Sequence, residues 1–529
     1  MPFVIFLILL YSNRENIMND ENEEFPRLIF NSDGDSTTLS VFEPPITSEK
    51  ACRDIEEVAG TGVDVFSNSM GRGDDTFSHP TEYGDLYGEG FSSWPEGEDG
   101  HGNLQWVRFM ADNARALLDA EINIIELLSE RAHQRGLQFW PALRMNDVHE
   151  DDGSRFAAFR SEFKKEHPDL LLGSPYPADG SYGYPQDNFT WAFNFAKEEV
   201  RDRKLGLILE TCEKYDVDGF ELDFQRGPWY FKEGKEQEGM PLLTDFMRKV
   251  RTGTREVADR KGRSFILIAR IPPTLDSCLD IGLDAATWIQ EELADLFVPM
   301  QGSYLDMGAD IKGFVKMAQN TRCRIGGGIE HLAKGYRQAG PDMLYAAAMS
   351  FWHQGASSIY LFNYDCHRQL GADFPYTPQE IRVLKEISDP KNLVRKDKRY
   401  CVCVDMKLRT PEEGGAKPLP QEIRSTDDKK SFTIWVGDDV ESALRDGIPV
   451  DIWLRFTFAK GISENQHIIV VLNGEKMKEG HRLDAPACTT WKFPVGHVFQ
   501  GENEISVYVE EVERDMALRI EGIELVITY

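Results

Sequence analysis

Cysteine is scarce and unpatterned in this chain: eight among 529 residues, with no two at the C-x2-C spacing of a zinc site. Cys52, Cys212, Cys278, Cys323, Cys366, Cys401, Cys403 and Cys488 read as buried thiols, not as a disulfide framework. Positive charge is in deficit, with 59 Lys and Arg against 89 Asp and Glu and a formal net charge of −30. That balance argues against nucleic acid or an anionic membrane surface as partner. It also repels a polyanionic substrate unless the cleft is locally basic. Long apolar runs are missing too. Phe3–Tyr11 is nine residues, too short to span a bilayer. It lacks the basic n-region and the A-x-A-like site of a signal peptide. Two readings of this end stay open. As an export signal or anchor, the run makes the protein secreted or periplasmic. With a true start at Met18, where an acidic stretch opens, the protein is cytoplasmic. The sequon at Asn188 matters only if a eukaryote secretes the chain. There is no low-complexity tract. No Gly-rich phosphate turn follows the first strand, which counts against a doubly wound nucleotide-binding sheet.

What is present is ordinary globular texture, 41% hydrophobic and 28% charged, in a chain long enough for two domains. Eight strand-like runs alternate with helical segments: 27–31, 62–68, 138–145, 217–224, 264–271, 295–301, 323–330 and 357–364. Helices are expected near 48–58, over 104–136, up to Tyr215, and at 241–261, 284–293, 309–319 and 341–354. Strand–helix alternation repeated eight times predicts a (β/α)8 TIM barrel over residues 25–390. Loops leaving strands are long and polar, and loops into strands are short. That asymmetry places the active face at the strands' C-terminal ends. A linker and irregular lead-in follow at 391–420, opened by Asp389-Pro390 and a basic stretch. Residues 421–529 alternate in short strands, with Asn473-Gly474 as a hairpin signal, and predict an all-β sandwich, jelly-roll-like. Residues 1–24 are a tail outside both domains.

The stretch from Tyr215 to Phe231, YDVDGFELDFQRGPWYF, concentrates the chemistry. Period two puts Phe220, Leu222 and Phe224 on one face and Glu221, Asp223 and Gln225 on the other. Strands of a parallel sheet are normally apolar on both faces. A row of carboxylate, carboxylate and amide fits a barrel lumen instead, with Asp223 nearer the mouth. Arg144 on the third strand and Arg270 on the fifth are expected to flank both carboxylates. A structural carboxylate–guanidinium network is the alternative to catalysis there. Glu330 ends the seventh strand, above Gly326 and Gly328, so the lumen beneath it is expected to be empty of side chains. Carboxylates on strands four and seven suit a two-carboxylate glycosidase, with Asp223 and Glu330 as the pair and Glu221 as substitute or support.

Polar residues at the other strand ends are candidate sugar ligands: Arg144, Asn146, Asp147, Arg226, Arg270, Gln301, Tyr304, Asn363 and Asp365, with Trp229 beside them. Asn31, Asp33 and Asn68 stand at the ends of strands one and two. The two long loops carry Phe77, Tyr83, Tyr87, Phe91, Trp94, Tyr176, Tyr182, Tyr184 and Trp191. Half of these are expected to stack on sugar and half to pack the loops. His149 and the acidic run behind it read as solvated, and neither a metal nor a cofactor is expected. Trp435, Trp453 and Trp491 read as core, with a sugar platform as the alternative.

DGFELDFQR, AHQRGLQFWPALRMND, EEVRDRKLGLILETCEKYDVDGFELDF and FWHQGASSIYLFNYD together resemble bacterial glycosyl-hydrolase-like families with a fourth strand of the form DG-x-x-L-D-x-x-R. The resemblance covers most of 25–390 and implies a glycoside-hydrolase-type barrel with an accessory β-sandwich. The strand also resembles the chitinase signature DG-x-D-x-D-x-E. Glu221 and Asp223 stand for its two Asp, and Gln225 replaces its catalytic Glu, which removes chitinase chemistry. The Asn-Glu pair of the large retaining clan is absent from strand four. The expected reaction is hydrolysis of a glycosidic bond in an oligo- or polysaccharide. The alternatives are a non-catalytic carbohydrate-binding barrel, and a lyase, isomerase or metal-dependent hydrolase on the same fold.

Overall fold

The computed structural model describes residues 25–529 apart from 35–37, 73–74, 90–103, 148–159, 174–189, 303–304, 332–338, 365–374, 403–418, 460–466, 478–480, 483–487 and 511–516. The barrel strands are β1 (Leu28–Ser32), β2 (Val65–Ser69), β3 (Gln138–Arg144), β4 (Gly219–Asp223), β5 (Ile266–Ile271), β6 (Leu296–Pro299), β7 (Arg324–Glu330) and β8 (Ser358–Phe362). All pair in parallel with their neighbours in sequence, and β8 closes on β1. This is the predicted (β/α)8 barrel, with strand ends within three residues of those expected.

Period two decides what each strand does. One face, including Phe30, Phe66, Phe139, Leu222, Leu267, Phe297, Ile325 and Leu361, joins the large core shared with the surrounding helices. The other face builds a separate cluster inside the barrel from Ile29, Val65, Trp140, Ile268, Leu296, Val298, Met300, Tyr360 and Phe362. The lower lumen is therefore a packed apolar plug, and polar groups collect toward the mouth.

The glycines of β7 serve that plug, so the expectation of an empty lumen beneath Glu330 is overturned. A Cβ on Gly328 would lie 2.5 Å from Met300 Cβ, and one on Gly326 would lie 3.1 Å from Val298 Cγ2. On the outer face, a Cβ on Gly327 would lie 2.5 Å from Phe351. The three glycines let β6 and the helix Pro341–Gln354 close in from both sides.

The C-terminal part is two antiparallel sheets. One holds β9 (Lys398–Cys401), β10 (Gln421–Ile423), β12 (Asp451–Phe458), β15 (His481–Arg482), β16 (Cys488–Phe493) and β18 (Leu518–Thr528). The other holds β11 (Lys430–Val436), β13 (Ile468–Leu472), β14 (Glu475–Met477) and β17 (Gly501–Val509). Asn473 and Gly474, both at positive φ, turn β13 into β14.

The stretch read as a basic lead-in contains β9. Lys398 is buried there and donates to Asp438 at 2.8 Å and to the Leu393 carbonyl at 2.6 Å. Tyr529 also donates to Asp438, at 3.0 Å. Asp438 lies forty residues away, so local sequence shows only a charge. The β-domain leans on the helix Pro341–Gln354: Arg399 pairs with Asp342 at 3.1 Å, and Trp435 Nε1 donates to His353 Nδ1 at 3.0 Å. Trp491 is core, whereas Trp453 is half-buried with Lys492 over its ring. The cysteines among the described residues are free thiols. No helix among those residues is long and apolar enough to cross a membrane.

Candidate functional site

Glu221 and Asp223 both face the lumen, as period two requires, but they sit in different layers. Glu221 is fully buried. Tyr360, reaching across the barrel from β8, donates to its Oε1 at 2.6 Å. Ser67 from β2 donates to Oε2 at 2.6 Å, and Asn31 from β1 donates to the same oxygen at 3.2 Å. Burial, reinforced by the Asp223 charge, pushes the Glu221 carboxyl up from its ordinary value, against the pull of Ser67, Tyr360 and Arg270. Burial and the Glu221 charge likewise raise the Tyr360 phenol far above its usual range, so it remains a donor.

Asp223 stands one layer nearer the mouth and is held from two directions. Arg270 Nε donates to Oδ1 at 2.9 Å and Nη2 to Oδ2 at 2.7 Å, a bidentate pair. The backbone N–H groups of Gln225 and Arg226 also donate to Oδ1, at 2.8 and 3.1 Å. Oδ1 therefore accepts three hydrogen bonds and Oδ2 one. Arg270 lies 3.8 Å above the Phe362 ring centroid, so the fork is stacked as well as paired. Burial pulls its guanidinium down, but Asp223, Tyr360 and Glu221 together push it up.

Glu330 ends β7 directly beside Phe362 in the strand register. Only 2% of it is exposed. Its Oε1 accepts from the His331 backbone N–H at 3.1 Å and lies 2.7 Å from His331 Nδ1. Asp223, Arg270, Phe362 and Glu330 thus form a line around the mouth from β4 to β7 by way of β5 and β8.

Arg144 stands beside Asp223 in the β3–β4 register. Its described ion pairs run to Asp147, at 2.9 Å, and to Asp33 at the end of β1. Arg72 completes that cluster, 2.5 Å from Asp33. Between β1 and β3, β2 offers the lumen only Ser67 and Ser69 at this height. The long Arg144 side chain reaches over them to the nearest carboxylate.

The other candidates divide. Asn146 is a structural tie: its Nδ2 donates to the carbonyls of Phe193 and Trp229, and its Oδ1 accepts from Phe193 N–H at 3.1 Å. Asp147 is buried in the Arg144 pair. Trp229 is 3% exposed. Arg226 contributes its backbone to Asp223. Tyr304 and Asp365 lie outside the described residues, as do Phe91, Trp94, Tyr176, Tyr182 and Tyr184. The described loop aromatics pack: Phe77 and Tyr87 are buried, and Trp191 lies under Arg160 at 3.2 Å.

Three amides at the mouth share one property. Gln225 Oε1 after β4, Gln301 Oε1 after β6 and Asn363 Oδ1 after β8 are buried with no hydrogen-bond partner among the described residues. An acceptor held from water without a donor costs about 1–3 kcal/mol. Asn363 is also in the left-handed region, at φ 52°. Non-glycine residues adopt that conformation at a cost, and often at functional positions.

Sequence reading did not single out Ser67, Arg72, Tyr360, Phe362 or His331. Tyr360 and Phe362 look like core residues of an apolar strand, and only the closing of the barrel brings them over β4 and β5. His331, adjacent to Glu330, was legible. No group of three or more His, Cys, Asp or Glu among the described residues is placed to hold a metal ion.

No protein-family model matches the chain, and no curated protein does. Solved structures do show likeness. An endo-beta-1,4-mannanase from Thermotoga petrophila is 11% identical over 95% of this chain and 98% of its own, with a TM-score of 0.43. An alpha-L-fucosidase from Paenibacillus thiaminolyticus is 12% identical over 68% of this chain and 48% of its own, with a TM-score of 0.39. An alpha-galactosidase from Geobacillus stearothermophilus is 13% identical over 94% of this chain and 56% of its own, with a TM-score of 0.38. The chain is similar to these glycoside hydrolases in its barrel and the β-sheets that follow. At such identities and TM-scores the likeness carries no role, and roles are argued from the residues themselves.

Proposed function

We propose that this chain is a glycoside hydrolase-like enzyme that cleaves a glycosidic bond in an oligo- or polysaccharide, with Asp223 and Glu330 as its two carboxylates. The observation that carries the reading is the ring of orphaned acceptors, Gln225, Gln301 and Asn363, around those carboxylates. A polyhydroxylated ligand brings hydroxyl donors to amide oxygens that otherwise lack them. Arg226, Trp229, Tyr304 and Asp365 join them as sugar ligands. Arg144, Asn146 and Asp147 act one step back, holding the loops that carry the site.

The roles follow from geometry. Asp223, gripped by a guanidinium and two N–H groups, is the nucleophile or base. Its Oδ2, with a single donor, is the oxygen left to attack the anomeric carbon or to activate water. Glu330, at the end of β7 with its Oε1 2.7 Å from His331 Nδ1, is the proton donor to the departing oxygen. Glu221 supports from below. Its three donors hold it too deep to meet a sugar.

The full chain incubated with neutral polysaccharides of α and β linkage is expected to release reducing ends. Asp223→Asn and Glu330→Gln are each expected to lower that rate by about 10²- to 10⁴-fold. Unchanged rates in both variants would refute the assignment. The bidentate hold of Arg270 on Asp223 favours one second reading, a barrel that binds glycan without cutting it. Calorimetric binding of an uncleaved polysaccharide by the wild-type chain would establish that reading instead.

A further inference from the structure

A cleft of about 180 Å³ opens next to Glu330, outside the barrel wall. It lies where β7 and β8 end, between the first turns of the helices Pro341–Gln354 and Pro378–Glu386. His331 and Tyr364 form its inner wall, Leu344 and Val383 its apolar side, and Thr377 and Gln379 its rim. The His331 side chain that faces the cleft is the one 2.7 Å from Glu330 Oε1. The cleft and the proposed proton donor therefore share one residue as a partition.

Size and lining narrow the occupant. At roughly 10–15 Å³ per water-sized position, the volume admits about 12–18 such positions, room for the heavy atoms of one hexose. One wall is aliphatic and the other carries an imidazole and a phenol, with an amide at the rim. That division suits a pyranose, with its C–H face against Leu344 and Val383 and its hydroxyls toward the polar side. Among the described residues the lining has no Lys or Arg, and its one carboxylate, Glu380, accepts from Thr377 N–H at 2.6 Å in a capping box. An anionic sugar meets no described cation there.

We propose that this cleft is a subsite for one neutral sugar unit of the glycan on which Glu330 acts, a few ångströms from the bond that is cleaved. The inference rests on the assignment of Glu330 made above. Its test fills the cleft from the rim. Gln379 is exposed in the first turn of its helix, so Gln379→Trp inserts bulk without entering the barrel. Ala339→Phe fills the cleft from the opposite lip and serves as a second variant. The probes are mannohexaose, maltohexaose, xylohexaose and cellohexaose, with calorimetric Kd measured on the full chain, and kcat/KM for the hexaose that binds relative to its aryl monoglycoside.

A tenfold or greater loss of hexaose affinity in both variants, with an equal fall in the kcat/KM ratio, is the expected result. Equal hexaose binding by wild type and both variants would overturn the subsite, as would no binding of any hexaose by wild type. If wild type binds but cleaves nothing, and filling the cleft abolishes binding, the subsite stands and the hydrolytic reading falls.

Discussion

Replacing Arg270 by Leu isolates the Asp223 pair. Arg270 has no exposed side-chain surface, and Asp223 has 4%. The substitution removes donors at 2.9 and 2.7 Å and the stacking on Phe362, and it leaves a buried carboxylate with two backbone N–H groups on one oxygen. Breaking a buried ion pair from one side costs about 3–5 kcal/mol, because the remaining charge stays desolvated. For a domain of this size, each kcal/mol moves the thermal midpoint by about 2 °C, so the barrel midpoint is expected to fall by about 6–10 °C. Adding Asp223→Asn removes the stranded charge, while the amide oxygen still accepts from Gln225 and Arg226. The double variant is therefore expected to regain at least half of the loss. Thermal unfolding of the full chain, followed by circular dichroism, measures all three proteins. A single variant within about 2 °C of wild type, or a double variant no better than the single, would refute the account of the pair.

Three further outcomes follow from the same packing. Glu221 has its carboxyl raised above the ordinary 4.5, so the folded chain binds a proton that the unfolded chain releases. The associated stability is complete below that value and declines as pH rises through the raised one, by at most about 1.4 kcal/mol per pH unit. Glu221→Gln is therefore expected to flatten the fall of stability with pH above 4.5 in urea titrations; an unchanged slope contradicts it. Gly328→Ala places a methyl 2.5 Å from Met300 and is expected to cost about 1–3 kcal/mol. Adding Met300→Ala should offset part of that cost, and a fully additive loss would contradict the packing account. Lys398→Met strands Asp438 in the β-domain and should cost about 3–5 kcal/mol by chemical unfolding, where a loss below 1 would refute it.

The fold was legible because its signals are local. Alternation along β4 separated Phe220 and Leu222 from Glu221 and Asp223, and eight strand–helix repeats allow few architectures. What the sequence hid is long-range. Arg144 appears one strand from Asp223, yet Asp33, more than a hundred residues earlier, takes its charge. The bare glycines of β7 suggested open space, and Met300 from β6 occupies it. The basic stretch at 391–399 read as the opening of a linker, and in the structure its Lys398 turns inward to Asp438. In each case a side chain's partner is set by barrel closure or domain docking, which no window of neighbouring residues contains.

The division of labour between Glu330 and Asp223 meets its most direct test in the dependence of rate on leaving group. Hydrolysis of a dinitrophenyl glycoside, whose leaving group needs no proton, is compared with hydrolysis of the matching oligosaccharide. Glu330→Gln is expected to lose about 10²- to 10⁴-fold on the oligosaccharide and less than tenfold on the dinitrophenyl glycoside, whereas Asp223→Asn loses heavily on both. Equal losses for the two substrates in Glu330→Gln, or an Asp223→Asn variant as active as wild type, would contradict the account.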